Sequence, residues 1–93
     1  MNRYVYVFYR YRQRDMFEYS SFKDALCSFV YDFDYGEAWG VGIYDREAKI
    51  LHMPDYFDKD EYNLAIRETE KLGYKIEGIH FFDVPDWEEV KYG

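Results

Sequence analysis

Tyr4–Tyr11 reads YVYVFYRY, and seven of its eight residues are β-branched or aromatic. Such residues fit a pleated, half-buried surface and are poor helix formers, so the stretch is expected to be a strand. Alternation places Val5, Val7, Tyr9 and Tyr11 on one face and Tyr4, Tyr6, Phe8 and Arg10 on the other. Both faces are apolar at the N-terminal end, which predicts a strand interior to a sheet or covered on both sides. Arg10, Arg12 and Arg14 then recur at every second position. If the strand runs that far, the three guanidinium groups leave one face as a basic strip.

Working outward, Met16–Tyr19 is expected to pair back on the first strand, with Arg12–Asp15 as the turn. Ser21, with Asp24 three residues on, reads as a helix start. Phe22, Leu26, Phe29, Val30 and Phe33 form one helical stripe, so Phe22–Phe33 is predicted to be an amphipathic helix that Gly36 ends. Trp39–Tyr44 is the second main strand, with Trp39, Val41 and Ile43 on one face and the bare Gly40 and Gly42 on the other. Ile50–Met53 returns as a hairpin. Asp58, with Glu61 after it, starts a second helix whose inner stripe is Tyr62, Ala65, Ile66, Thr69 and Leu72. Tyr74–Phe82 is the last strand, its parity slipping at a bulge expected at Gly78. Asp83–Gly93 is a tail with a short helix expected after Asp86.

The resulting order, β-(β)-α-β-β-α-β, is similar to that of ferredoxin-like sandwiches with a possible extra N-terminal hairpin strand. We therefore expect a single α+β domain over residues 1–93, two helices on a mainly antiparallel sheet of four or five strands. The resemblance implies both helices on one sheet face and the other face open, except where the hairpin and tail cover it.

Aromatic residues make up 24% of the 93-residue chain, with twelve Tyr, eight Phe and two Trp, more than so small a core can hide. Tyr keeps one polar end and suits half-buried or interface positions. The alternative is that Tyr stands in for Leu, of which there are four. The net charge of −7 is unevenly distributed. Residues 1–14 carry four Arg and no acid, leaving eight basic and nineteen acidic groups, a net −11, in the rest. An acidic body argues against nucleic-acid binding by phosphate neutralisation and suits a basic protein partner. One cysteine, Cys27, excludes an internal disulfide and fits a reducing cytoplasm. No apolar run approaches a membrane span, and no signal peptide is expected.

No nucleophile elbow, P-loop, dinucleotide fingerprint, CxxC or HExxH motif occurs, so no catalysis and no cofactor are expected. Cys27 beside the helical stripe reads as a small buried hydrophobe. His52 and His80 both fall on predicted strands. With a nearby Asp such a pair can bind metal or shuttle protons, but neither has a ligand at conventional short spacing, and both are read as structural. Asp32–Gly36 has the opening spacing of a calcium loop, yet Gly36 comes one place early and Ile43 stands where the bidentate acid belongs.

Tyr4–Arg10 distantly resembles the aromatic first strand of RNA-recognition domains, which implies base stacking. The partner motif, expected at Lys49–Met53, lacks both the Gly and the aromatic pair. Two clusters of acids interleaved with aromatics remain. Asp32, Asp34 and Glu37 lie among Tyr31, Phe33, Tyr35 and Trp39. Asp83, Asp86, Glu88 and Glu89 lie beside Phe81, Phe82 and Trp87. In size and composition the chain resembles the small acidic phage-borne anti-CRISPR and anti-restriction proteins. That resemblance implies a stoichiometric inhibitor that blocks a basic surface of a nucleic-acid-handling enzyme in the host cytoplasm, imitating phosphate spacing in part. The acids would pair with Arg and Lys, and Tyr35, Trp39 and Trp87 would be the anchors. Arg10, Arg12 and Arg14 would contact an acidic patch on a partner or on a second copy of the chain. The rival expectations are a small regulatory domain with a ligand site on the open sheet face near Gly40 and Gly42, and an RNA-binding ferredoxin-like module.

Overall fold

The structure, a computed structural model, describes residues 2–36 and 38–92. Strand β1 (Tyr4–Arg10) lies inside a five-stranded sheet ordered β2-β1-β3-β4-β5, with β2 at Gln13–Tyr19, β3 at Trp39–Asp45, β4 at Ile50–Pro54 and β5 at Gly78–Phe82. The β1, β2, β3 and β4 pairings are antiparallel, and β5 runs parallel to β4. Helices α1 (Phe22–Tyr35), α2 (Lys59–Lys71) and α3 (Trp87–Tyr92) complete the α+β domain. The element order is the expected one, with the N-terminal hairpin strand present and the short helix after Asp86.

Alternation along β1 builds two cores. Tyr6 and Phe8 join Phe29, Val30, Ile43 and Phe82 under α1 and α3. Val5 and Val7 join Val41, Tyr44, Leu51, Met53 and Ala65 under α2. The two long helices therefore lie on opposite faces, not on one as expected. Connection handedness accounts for this. The β2-α1-β3 and β4-α2-β5 crossovers move the same way across the sheet, but β2 and β4 point in opposite directions. Two right-handed crossovers under those conditions put their helices on opposite faces.

The expected open face is consequently closed. A Cβ on Gly40 would stand 2.5 Å from Cε2 of Phe29, and one on Gly42 would stand 2.9 Å from the His52 carbonyl oxygen. The bare glycines mark close approach of the protein to itself, which removes the room for the sheet-face ligand site.

The first hairpin is tighter than expected. Tyr11 and Arg12 have φ of 52° and 63°, a two-residue left-handed turn that lets β2 begin at Gln13. The register pairs Val7 with Met16 and Tyr6 with Phe17. That alignment sends Met16 to the α2 core and sets Phe17 against Phe8, with ring centroids 5.1 Å apart. A one-residue slip would reverse both.

The bulge lies between β1 and β3, where Val7 faces Gly42 and Phe8 faces Gly40. It turns Val41 to the α2 core while Ile43 goes to the α1 core, so Trp39, Val41 and Ile43 do not share a face. Residues 74–77 are outside the ladder, and β5 starts only at Gly78. Their backbone is held otherwise: the Tyr44 hydroxyl donates to the Lys75 carbonyl, and the Glu77 amide donates to the Lys49 carbonyl at 2.7 Å.

Both long helices are capped as their sequences predict. Ser21 Oγ accepts the Asp24 amide at 3.1 Å, and Gly36 closes α1 with φ 69°. Asp58 and Glu61 form a reciprocal capping box at α2. Among the described residues no helix is long and apolar enough to cross a membrane.

Candidate functional site

The two acid-and-aromatic clusters come together where α3 packs on α1. Tyr31 and Tyr35, one helical turn apart, present neighbouring rings 4.7 Å apart. Trp87 of α3 meets both edge-on, 5.6 Å from Tyr31 and 6.5 Å from Tyr35. Val90 anchors α3 by burying itself in the first core, at 6% exposure. Tyr31, Tyr35 and, on the neighbouring strand, Phe17 keep 43–59% of their surface exposed, while Phe33 turns to the other side of α1, against Tyr56. For three large aromatic side chains that is costly exposure, and it gives this face apolar area to offer a partner.

Asp32 sits at the centre of the face. Its Oδ2 accepts the Tyr6 hydroxyl at 2.7 Å, and its main-chain carbonyl accepts the Gly36 amide at 2.8 Å. Burial, reinforced by the bond to Asp32, pushes the Tyr6 phenol far above its ordinary range, so Tyr6 is a fixed donor. The carboxylate borders two clefts. One, of about 230 Å³, has Phe17, Tyr31 and Trp87 as aromatic walls and Cys27 and Ser28 beside Asp32. The other, of about 360 Å³, lies towards Tyr11, Phe33 and Trp39. Burial raises the Cys27 thiol, keeping it protonated and a poor nucleophile.

The remaining expected residues divide. Asp34, Asp83, Asp86, Glu88 and Glu89 are exposed on α1 and on the segment leading into and along α3. Glu37 lies outside the described residues. Trp39 turns inward, stacked between Tyr9 at 6.0 Å and Phe57 at 5.9 Å, and is a packing residue more than an anchor.

The three arginines do not form a strip. Arg10 ends β1, with its guanidinium 5.5 Å from the Tyr11 ring centroid, and Arg12 occupies the turn. Arg14 on β2 donates to buried Glu68 of α2 at 2.6 Å. The left-handed turn at Tyr11-Arg12 ends the alternation that the strip required.

Sequence reading missed Phe17 and Tyr6 as parts of this face. Phe17 reaches it only through the β1–β2 register, and Tyr6 through a hydroxyl that crosses the first core. It also missed that His52 and His80 are direct neighbours across β4 and β5. Compared with known proteins, the chain matches no family model, no curated protein and no solved structure.

Proposed function

We propose that the protein is a stoichiometric protein-binding inhibitor, of the anti-restriction or anti-CRISPR type, that covers a basic surface of a nucleic-acid-handling enzyme with its α1/α3 face. The observation that supports this reading is the convergence of Tyr31, Tyr35 and Trp87 on one another amid exposed carboxylates. Rigid aromatics supply contact area at low entropic cost, and surrounding acids steer and pair with Arg and Lys. The cleft beside Asp32 has the chemistry to receive one such cationic side chain, with aromatic faces for walls and a carboxylate oxygen at its edge. The basic ends Arg10 and Arg12 keep phosphate imitation local to this face.

The test is kinetic. After the partner is captured from lysate of the host cell and purified, its association with the protein is measured at low and high salt. It is measured again with Asp34, Glu88 and Glu89 all changed to their amides. The reading expects an association rate that falls steeply with salt and falls further in the amide protein, with a flatter salt dependence. A salt-insensitive rate that the amides leave alone would refute it.

A further inference from the structure

Strands β4 and β5 run parallel, and their register sets His52 directly beside His80. The two Nδ1 atoms are hydrogen-bonded at 2.9 Å, one ring donating its Nδ1 proton, which metal binding would shift to Nε2. The ring centroids are 4.9 Å apart, and the ring planes cross at 75°. His52 is half-buried, with the Phe22 ring 4.9 Å from its own, and His80 is exposed on the edge strand. Both residues are held by ladders, His52 by Ile43 on one side and His80 on the other, so their backbones are fixed relative to each other.

We propose that His52 and His80 form a bidentate site for a divalent transition-metal ion of the Cu(II) or Ni(II) class. Neutral imidazole nitrogen is a preferred donor for these ions. The separation argues for their geometry. Metal–nitrogen bonds of about 2.0–2.1 Å to two donors 2.9 Å apart subtend about 90°. That is the cis angle of a square-planar or tetragonal ion. A tetrahedral zinc ion needs its donors about 3.3 Å apart, wider than the 2.9 Å between the two Nδ1 atoms, so it would require the imidazole rings to turn.

Among the described residues no group of three or more His, Cys, Asp and Glu side chains comes together. The protein therefore supplies two ligands, and the other positions belong to water or to a donor from another molecule, for which exposed His80 at the sheet edge leaves room. The net charge of −7 raises the local concentration of cations around the chain. Arg3, a cation that bears on His52, is engaged with Asp45 through two 2.8 Å bonds. The site is independent of the α1/α3 face and stands whether or not that face binds a partner.

The experiment titrates the purified full chain with Cu(II), and separately with Ni(II) and Zn(II). Affinity is measured by calorimetry and the copper environment by electron paramagnetic resonance. The wild-type spectrum is expected to be axial, with hyperfine coupling to two equatorial nitrogens. His80→Ala, at an exposed position, is expected to keep the wild-type circular dichroism and lose the two-nitrogen signature. Even outer-shell losses lower metal affinity about 10–100-fold, so losing one of two ligands is expected to cost at least about tenfold. His52→Gln is expected to show the same loss. Equal copper affinity in the wild type and His80→Ala, or a wild-type spectrum with oxygen donors alone, as binding to surface acids gives, would overturn the assignment.

Discussion

The Tyr6 hydroxyl donates to Asp32 Oδ2 at 2.7 Å from a side chain that is 1% exposed. One of the acids that sequence reading gives to a partner is thus also part of the core. Removing Asp32 leaves a buried phenol without its acceptor, whereas removing Asp34 touches only solvent. Hydrogen bonds to charged groups contribute about 1.5–3 kcal/mol, and exposed substitutions usually stay within about 0.5 kcal/mol. Urea denaturation is therefore expected to show Asp32→Ala destabilised by about 2 kcal/mol and Asp34→Asn nearly unchanged. Equal effects would mean that the Tyr6–Asp32 bond carries no net stability.

Phe29 lies over Gly40 so closely that an added Cβ would meet its ring at 2.5 and 2.6 Å. Gly40→Ala overpacks the first core, at a cost of about 1–3 kcal/mol. Phe29→Leu opens that contact at its own cost. The double variant is expected to be more stable than the sum of the two single losses, because the two sites share one volume. Strict additivity in a denaturant cycle would show that the strain is relieved elsewhere.

Thr69 is completely buried in α2, and its Oγ1 has no hydrogen-bond partner among the described residues. Valine has nearly the same shape without the hydroxyl. An unsatisfied buried hydroxyl costs about 1–3 kcal/mol, so Thr69→Val is expected to raise stability by about 1 kcal/mol. A lowered urea midpoint would reveal a partner for the hydroxyl.

What sequence reading recovers here is local, and what it misses is long-range. Ser21, Asp58 and Gly36 announce the helix ends because caps act within four residues. The interior place of Tyr4–Arg10 is legible because both its faces are apolar. Helix placement depends on the strand order β2-β1-β3-β4-β5, which no window of residues encodes. The meeting of His52 with His80, 28 positions apart, has the same origin. The basic strip of Arg10, Arg12 and Arg14 fails for a smaller reason: Tyr11 and Arg12 adopt left-handed backbone without being Gly or Asn, so the turn carries no sequence signal. The α1/α3 face was half legible, since the acids and aromatics are visible in sequence but the packing of α3 on α1 is not.

Asp45 is nearly buried and held by Arg3 Nε and Nη2, each at 2.8 Å, and by the amides of Glu47 and Ala48 at 3.0 and 3.1 Å. The bond from Arg3 is the main reason its carboxyl lies below the usual range, outweighing burial. Glu68 is also lowered: burial opposes this, but donors from Tyr9, Arg14 and Lys71 prevail. A carboxylate depressed in the folded state contributes stability that is complete above its unfolded pKa, about 4, and is lost as pH falls towards the folded value. The contribution of these two carboxylates to the urea midpoint is expected to be flat above about pH 6 and to fall below about pH 4.5. It comes on top of a separate decline as pH drops through about 6.5, because burial holds the His52 imidazole below its ordinary value. Asp45→Asn should lower the plateau and flatten the acid limb. An unchanged acid limb would assign the loss to other carboxylates.

Tyr35 offers the cleanest separation of folding from binding. Its side chain is 59% exposed, and its ring contacts are to Tyr31 and Trp87. Truncating it removes little buried area, so Tyr35→Ala is expected to cost under about 1 kcal/mol of stability. Trp87 is half-buried and supports α3, so its truncation confounds the two effects. If the α1/α3 face is the binding surface, Tyr35 lies in its aromatic centre, where hot-spot truncations cost about 2 kcal/mol or more, some thirtyfold in affinity. That loss should fall on the dissociation rate, since Tyr35 carries no charge to steer association. The amides at Asp34, Glu88 and Glu89 should instead slow association. A Tyr35→Ala protein with wild-type stability and a wild-type dissociation rate would remove this face as the site of contact.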